Sequence, residues 1–282
     1  MNTGSGRIVS YRRGGLVFDV RDEGPIDGVP VVLLHGFPQD WRSWDALAPL
    51  LHARGYRTLA PNQRGCSPGA RPRSRWAYRR AELTADVVEL IEQADLGPVH
   101  LVGHDWGAAV AWNLAAERPD LVRTLSALSV PHPAAFARAV LTSSQIVKSW
   151  YMFAFQVPWL PERLLASGDA VRRQLLRSGM SVEVADRDLA PMREQGRARG
   201  ALNWYRAMLF STPGHTAARV RVPTLHVWSD GDTALGAKGA ALTGRYVAGP
   251  YRLETLRGVS HWIPDEAPEQ LDALLAPHLQ RA

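Results

Sequence analysis

The chain has 282 residues, of which 46% are hydrophobic and 21% are charged, as in an ordinary folded domain and unlike a disordered chain. Charged residues or prolines interrupt every apolar run before it reaches the length of a bilayer span. The first fifteen residues lack the apolar core of a signal peptide, so we expect a cytoplasmic protein. Cys66 is the only cysteine, which excludes an intrachain disulfide and a cysteine-built metal site.

The formal net charge of +6 comes mainly from arginine, because only Lys148 and Lys238 are lysines among the 33 basic residues. A basic chain makes a nucleic-acid partner worth weighing. The arginines are scattered, however, and their densest cluster, within 71–80, lies in a predicted loop without a nucleic-acid motif. We therefore expect neither nucleic acid nor a membrane as a partner.

Strand and helix patterns alternate along the first half of the chain. Two short strands flank Gly14 and Gly15, and the apolar run 29–37 predicts a strand that is buried on both faces. A helical segment ends at Gly55, and a further strand leads into a long amphipathic helix predicted over 78–97. A strand–turn–helix unit over 98–119 and a strand that ends in two prolines complete this part.

The alternation stops between 134 and 217, where the sequence is aromatic and helical in pattern. It resumes with two strands, a short helix between them and a final helix. Alternating strands and helices favour a mostly parallel sheet with helices on both faces. We predict an α/β core domain formed by 1–133 and 218–282, with a helical cap domain, 134–217, inserted after the sixth strand.

The stretch "GHDWGAAVAW" (103–112) has the spacing of a nucleophile elbow, a sharp turn from strand to helix that exposes one reactive side chain. Asp105 occupies the position of that side chain, between Gly103 and Gly107. Burial raises the pKa of such a carboxyl group, whereas a helix N-terminus and backbone donors lower it. A nucleophilic role requires the lowering to prevail, and a simple helix-capping role is the alternative.

Three further segments carry candidate residues. The turn "HGFP" (35–38) follows a buried strand, and the backbone N–H of Phe37 can pair with that of Trp106 as an oxyanion hole. His261 follows the last strand and is the candidate base. Asp232 is the predicted partner that orients this histidine, and Asp230 is its close rival.

The motifs "HGFPQDWRSW", "GHDWGA" and "GVSHW" together resemble the epoxide hydrolases of the α/β-hydrolase fold that carry a helical cap. The resemblance extends over nearly the whole chain and includes two cap segments, "YMFAFQVP" and "RGALNWYRAM". It implies that Tyr151 and Tyr205 are the ring-opening tyrosines. The expected substrate-binding residues are His35, Pro38, Trp106 and Phe155.

A carboxylate nucleophile suits a saturated carbon, because it displaces there to form an alkyl ester that water can hydrolyse. The predicted partners are thus a small apolar epoxide and water, with no metal or organic cofactor. A haloalkane or haloacid dehalogenase is the alternative enzyme. Phe37 stands where a haloalkane dehalogenase would use Asn, and arginines that clamp a haloacid are missing just after Asp105. A ligand-binding protein on a hydrolase scaffold would show a broken catalytic position, and a serine esterase would not place Asp at the elbow.

Overall fold

The computed structural model describes residues 6–210 and 218–280. Its centre is an eight-stranded sheet with the strand order β1-β2-β4-β3-β5-β6-β7-β8. The strands are β1 (Ser10–Arg13), β2 (Leu16–Glu23), β3 (Val29–Leu34), β4 (Tyr56–Pro61), β5 (Val99–His104), β6 (Val122–Leu128), β7 (Thr224–Ser229) and β8 (Tyr251–Leu256). β2 pairs antiparallel with β1 and β4, and all other pairs are parallel.

Helices cover both faces of the sheet. Those of the core are α1 (Ala48–Ala53), α2 (Arg80–Gln93), α3 (Trp106–Glu117), α11 (Ala237–Thr243), α12 (Ile263–Glu266) and α13 (Pro268–Leu279). One apolar cluster joins the sheet to α2 and α3, and a second joins it to α1, α12 and α13. Every residue of β4 and β5 is buried, as expected of parallel strands between two helical layers. The predicted fold class is confirmed.

The helix predicted over 78–97 is shorter than expected, because α2 begins at Arg80 and ends at Gln93. Residues Arg75–Tyr78 form a separate 3₁₀ turn, and Arg79 has an extended conformation that keeps it from joining the helix. At the other end, Asp95 and Gly97 have positive φ angles and turn the chain away from the helix. The predicted apolar stripe on α2 is buried: Leu83, Val87, Leu90 and Ile91.

Seven helices lie between β6 and the end of the first described range. They are α4 (Pro133–Thr142), α5 (Gln145–Lys148), α6 (Trp150–Ala154), α7 (Leu160–Ser167), α8 (Asp169–Arg177), α9 (Val182–Leu189) and α10 (Arg197–Ala207). Their apolar cluster extends to Trp262, beside the predicted base. Residues 211–217, the end of the predicted insertion, lie outside the described ranges. In the part of the chain that is described, no helix has both the length and the apolar character needed to span a bilayer.

Candidate active site

Asp105 lies at the sharp turn between β5 and α3. Its backbone has φ 51° and ψ −119°, a conformation that side chains rarely adopt and that marks a strained elbow. The turn depends on close backbone approach, since a Cβ on Gly107 would lie 2.0 Å from the carbonyl oxygen of Leu34. A Cβ on Gly36 would lie 2.4 Å from the Cβ of Asp105 itself. Glycine at these two positions lets the carboxylate stand at the end of the sheet.

Two groups contact the Asp105 carboxylate. The backbone N–H of Phe37 donates to Oδ1 at 2.8 Å, and Nε2 of His261 lies 3.5 Å from Oδ2. Burial raises the pKa of Asp105, but the hydrogen bond and charge of His261 outweigh it, so the pKa falls below its usual value. The carboxylate is therefore an anion at neutral pH. The backbone N–H of Trp106 also lies at this turn, because Trp106 is the first residue of α3, where a backbone N–H has no acceptor within the helix.

His261 is held by a second carboxylate. Its Nδ1 lies 2.7 Å from Oδ2 of Asp232, whose Oδ1 accepts hydrogen bonds from the backbone N–H groups of Ala234 and Leu235, both at 2.8 Å. The rival Asp230 points elsewhere and accepts a hydrogen bond from the backbone of Gly258 at 2.7 Å. The structure thus brings Asp232, and not Asp230, to the histidine.

The electrostatics of His261 follow from these two acids. Burial lowers its pKa, but the charge of Asp232 and contacts with Asp105 raise the pKa to about 10. His261 is therefore an imidazolium that lies between two carboxylates in the resting site. Its neighbour His104 differs, because burial lowers the pKa of His104 to about 4 and keeps that ring neutral.

The two tyrosines that the resemblance implies lie together above the elbow, one on α6 and the other on α10. The ring centroids of Tyr151 and Tyr205 are 5.9 Å apart, and Tyr205 packs edge-on against Trp106 at 5.1 Å. Burial and the charge of Asp105 raise the pKa of both phenols. Both are therefore neutral hydrogen-bond donors beside the carboxylate.

A cavity of about 440 Å³ opens at this constellation. Asp105, both tyrosines and Trp106 line it, and most other lining side chains are apolar. Its volume suits a small organic ligand. A small molecule that enters it meets the carboxylate of Asp105 and the phenols of Tyr151 and Tyr205.

Three of the expected substrate-binding residues lie outside the cavity lining. His35 is fully buried, and its Nε2 accepts a hydrogen bond from the backbone N–H of Gln63 at 3.1 Å. Pro38 is buried, and its carbonyl oxygen accepts a hydrogen bond from Arg197 at 3.2 Å. Phe155 packs behind the tyrosines, with its ring centroid 4.9 Å from that of Tyr205. All three contact residues around the site rather than the cavity.

The helix α10 is fastened to the core next to the elbow. The indole N–H of Trp204 donates to the carbonyl oxygen of Arg64 at 2.7 Å. One turn earlier, the backbone of Gly200 meets that of Gly65 so closely that a Cβ on either residue would lie within 2.7 Å of the other's backbone. Arg64 itself is held by Asp86 through hydrogen bonds of 2.7 and 2.6 Å. This attachment determines where Tyr205 stands.

Sequence reasoning missed several residues that hold or line the site. Nε2 of His104 and the hydroxyl of Ser129 both bind the carbonyl oxygen of His261, at 2.9 and 3.1 Å. His104 could have been suspected because it directly precedes the nucleophile position, but its partner is 157 residues away. Arg80 lines the cavity, although its basic neighbours suggested an exposed loop.

Within the described residues, no cluster of histidine, cysteine or acidic side chains is arranged to hold a metal ion.

A model of the alpha/beta hydrolase fold family matches residues 29–268, and the chain belongs to that family. The AB hydrolase superfamily protein YfhM of Bacillus subtilis is 34% identical to it over 94% of this chain and 95% of its own length. Two relatives of 32% identity are epoxide hydrolase 3 of Xenopus tropicalis, matched over 89% of this chain and 71% of its own, and epoxide hydrolase A of Mycobacterium tuberculosis, over 89% and 91%. The crystal structure of epoxide hydrolase A from Mycobacterium thermoresistibile superposes with a TM-score of 0.81 at 28% identity, covering 96% of this chain and 97% of that one. Within the family, the chain therefore belongs to the epoxide hydrolases.

Proposed function

We propose that this enzyme opens an epoxide to a vicinal diol through a covalent ester on Asp105. The observation that carries the proposal is one cavity in which an anionic carboxylate faces two neutral phenols. A poor leaving group such as an alkoxide needs a strong hydrogen-bond or proton donor as its bond breaks. A halide would need softer donors, so the phenols favour an epoxide over a haloalkane or a haloacid.

In the first step, one oxygen of Asp105 forms a bond to an epoxide carbon, and the carbon–oxygen bond of the ring breaks. Oδ1 stays with the N–H of Phe37 and becomes the carbonyl oxygen of the ester, which leaves Oδ2 to attack. The ring oxygen receives the bonding electron pair and takes a proton from Tyr151 or Tyr205. The proton carried by His261 restores the phenol, and His261 becomes neutral.

Ester formation prepares the second step. Asp105 loses its negative charge on alkylation, and with it a contribution that raises the pKa of His261. The neutral imidazole can then take a proton from water as that water attacks the acyl carbon of Asp105, help that is typically worth about 10²–10⁴-fold in rate. The N–H groups of Phe37 and Trp106 stabilise the oxyanion.

Collapse of the tetrahedral intermediate returns the site to its starting state. The diol oxygen leaves with the proton from His261, and Asp105 is left as a carboxylic acid. That acid returns its proton to His261, which restores the ion pair. Epoxide and water are consumed and a diol is released, with no net uptake of protons.

The proposal assigns the two parts of the chain different roles. The core domain, 1–133 and 218–282, carries the nucleophile, the base and the orienting Asp232. The cap domain, 134–217, carries the ring-opening tyrosines and closes the cavity. Of the predicted substrate-binding residues, Trp106 is supported by its position in the cavity lining, and His35, Pro38 and Phe155 are assigned to supporting the walls.

A single turnover in water enriched in heavy oxygen tests the covalent step. With enzyme in excess over styrene oxide, the diol should carry an unlabelled oxygen taken from Asp105, whereas with styrene oxide in excess the later turnovers incorporate the label. The His261→Gln variant should accumulate an alkyl-enzyme that intact-protein mass spectrometry detects. Label in the first diol, together with no adduct in the variant, would remove the covalent mechanism.

A further inference from the structure

Arg80 is an unexpected residue in the cavity. Among the described residues that line it, only Arg80 and Asp105 carry a charge. The remaining lining residues are apolar side chains or uncharged tyrosines. The apolar ones include Leu83, which lies on α2 with Arg80, and Ala109, which lies on α3. A half-buried guanidinium in an apolar cavity needs an anion or strong acceptors to offset its lost hydration.

The surroundings of Arg80 offer little compensation. Among the described residues, no carboxylate forms an ion pair with Arg80, and the one hydrogen bond of its side chain, to Oδ1 of Asn113, is long at 3.5 Å. Burial lowers the pKa of Arg80, and the charge of Glu117 offsets this only in part. Arg80 is also the first residue of α2, the end of a helix where a cation is disfavoured.

Two other buried arginines of this chain pair with acids. Arg64 forms two hydrogen bonds with Asp86, and Arg206 forms two with Glu162. Arg80 differs from both in facing a cavity rather than an acid. An anion that enters the cavity would supply the partner that Arg80 lacks among the described acids.

The helix α3 relates the position of Arg80 to that of the nucleophile. Asp105 precedes the helix, and Asn113, which contacts Arg80, lies two turns further on the same helix. Eight residues at the helical rise place the α-carbons of Asp105 and Asn113 about 12 Å apart. We take this backbone separation as the scale of the distance between the two charged groups. About 3 Å is needed at each end, for the attack and for the salt bridge, which leaves a spacer on the order of 6 Å.

We propose that Arg80 binds a carboxylate of the substrate, so that the enzyme acts on epoxides that carry an acid at the end of a short hydrocarbon chain. The spacer corresponds to a short, straight hydrocarbon chain. A guanidinium suits a carboxylate because its planar N–H groups pair with both oxygens. The proposal rests on the proposed epoxide hydrolysis and specifies the substrate class of the same cavity.

The experiment compares the terminal epoxide of a straight eight-carbon acid with the methyl ester of the same epoxide. The wild-type enzyme should hydrolyse the acid with a kcat/KM about tenfold to a hundredfold above that of the ester, as expected for a charge-assisted hydrogen bond. The Arg80→Met variant should lose this preference. Arg79→Met is the matched control, because Arg79 is exposed, pairs with Glu82 at 3.5 Å and does not line the cavity. It should keep the preference.

Binding of octanoate provides a readout that needs no hydrolysis. Calorimetry should show octanoate binding to the wild-type enzyme and to Arg79→Met, with at least tenfold weaker binding to Arg80→Met. Equal kcat/KM for acid and ester in the wild type, or an acid preference that survives in Arg80→Met, would overturn the role of Arg80. Hydrolysis of styrene oxide without an acid preference would refute this inference alone. Failure to hydrolyse any epoxide would refute the proposed function, and the octanoate measurement would still decide the role of Arg80.

Discussion

Replacing Asp232 with asparagine should force His261 into the wrong tautomer. Oδ1 of Asp232 accepts two backbone N–H groups, so the amide oxygen of an asparagine must take that place. Its NH₂ group must then occupy the position of Oδ2, 2.7 Å from Nδ1 of His261. Nδ1 becomes an acceptor, and Nε2 carries the proton. That nitrogen faces Asp105 and can no longer remove a proton from water.

The size of the effect follows from the two proposed steps. Alkylation of Asp105 should be slowed less, because it does not require His261 to act as a base. Hydrolysis of the ester should slow by about 10²–10⁴-fold, which corresponds to about 3–5 kcal/mol in the barrier. Rapid-quench mixing with styrene oxide, followed by intact-protein mass spectrometry, should therefore show an alkyl-enzyme that builds up within one turnover.

Asp230→Asn is the matched control for this experiment. Asp230 is two residues away but contacts the backbone of Gly258 instead of His261. This control should behave as the wild type. Normal turnover in Asp232→Asn, or an equal loss in Asp230→Asn, would refute the assignment of Asp232.

Tyr151→Phe and Tyr205→Phe should each slow alkylation of the enzyme by about tenfold to a hundredfold, because each removes one hydrogen bond to the developing alkoxide. The double variant should be slowed far more. Burst kinetics with styrene oxide measure these rates, and full activity in the double variant would contradict the role of the phenols. Arg64→Met should lower the free energy of unfolding in urea by about 3 kcal/mol, because it leaves the buried carboxylate of Asp86 with Arg13 alone. The side chains of Arg64 and Asp86 are each only 4% exposed. A loss below about 1 kcal/mol would contradict this expectation. The pKa of His261 is raised to about 10 in the fold from about 6.5 in the unfolded chain, so its contribution to stability is complete below about pH 6.5 and is lost as the pH rises towards 10. Unfolding measured across this range should show a steeper alkaline loss of stability for the wild type than for His261→Gln, and parallel curves would speak against the ion pair.

The elements that the sequence predicts best are those whose pattern depends only on residues close together along the chain. The strand within 29–37 and the helix after Asp105 are recognisable because apolar runs and glycine spacing depend on neighbours along the chain. The predicted start of α2 is wrong because the extended conformation of Arg79 leaves no periodic signal in the sequence. Boundaries of this kind depend on tertiary contacts.

The same distinction between local patterns and tertiary contacts applies to the residues of the site. Asp105 belongs to a continuous motif, whereas the choice between Asp232 and Asp230 depends on which carboxylate two backbone N–H groups hold towards His261. No spacing in the sequence contains that information. Arg80 shows the limit most clearly, because a basic residue in a basic stretch gives no sign that it faces a cavity.

The tight backbone contact between Gly65 and Gly200 has a consequence for enzyme engineering. This contact holds α10, which carries Tyr205, against the core. The helix α4 contributes a separate part of the cavity wall, including Phe136 and Val140. Mutant libraries directed at α4 should therefore change which molecules fit without displacing Tyr205, whereas a side chain introduced at either glycine would push that phenol away from its target.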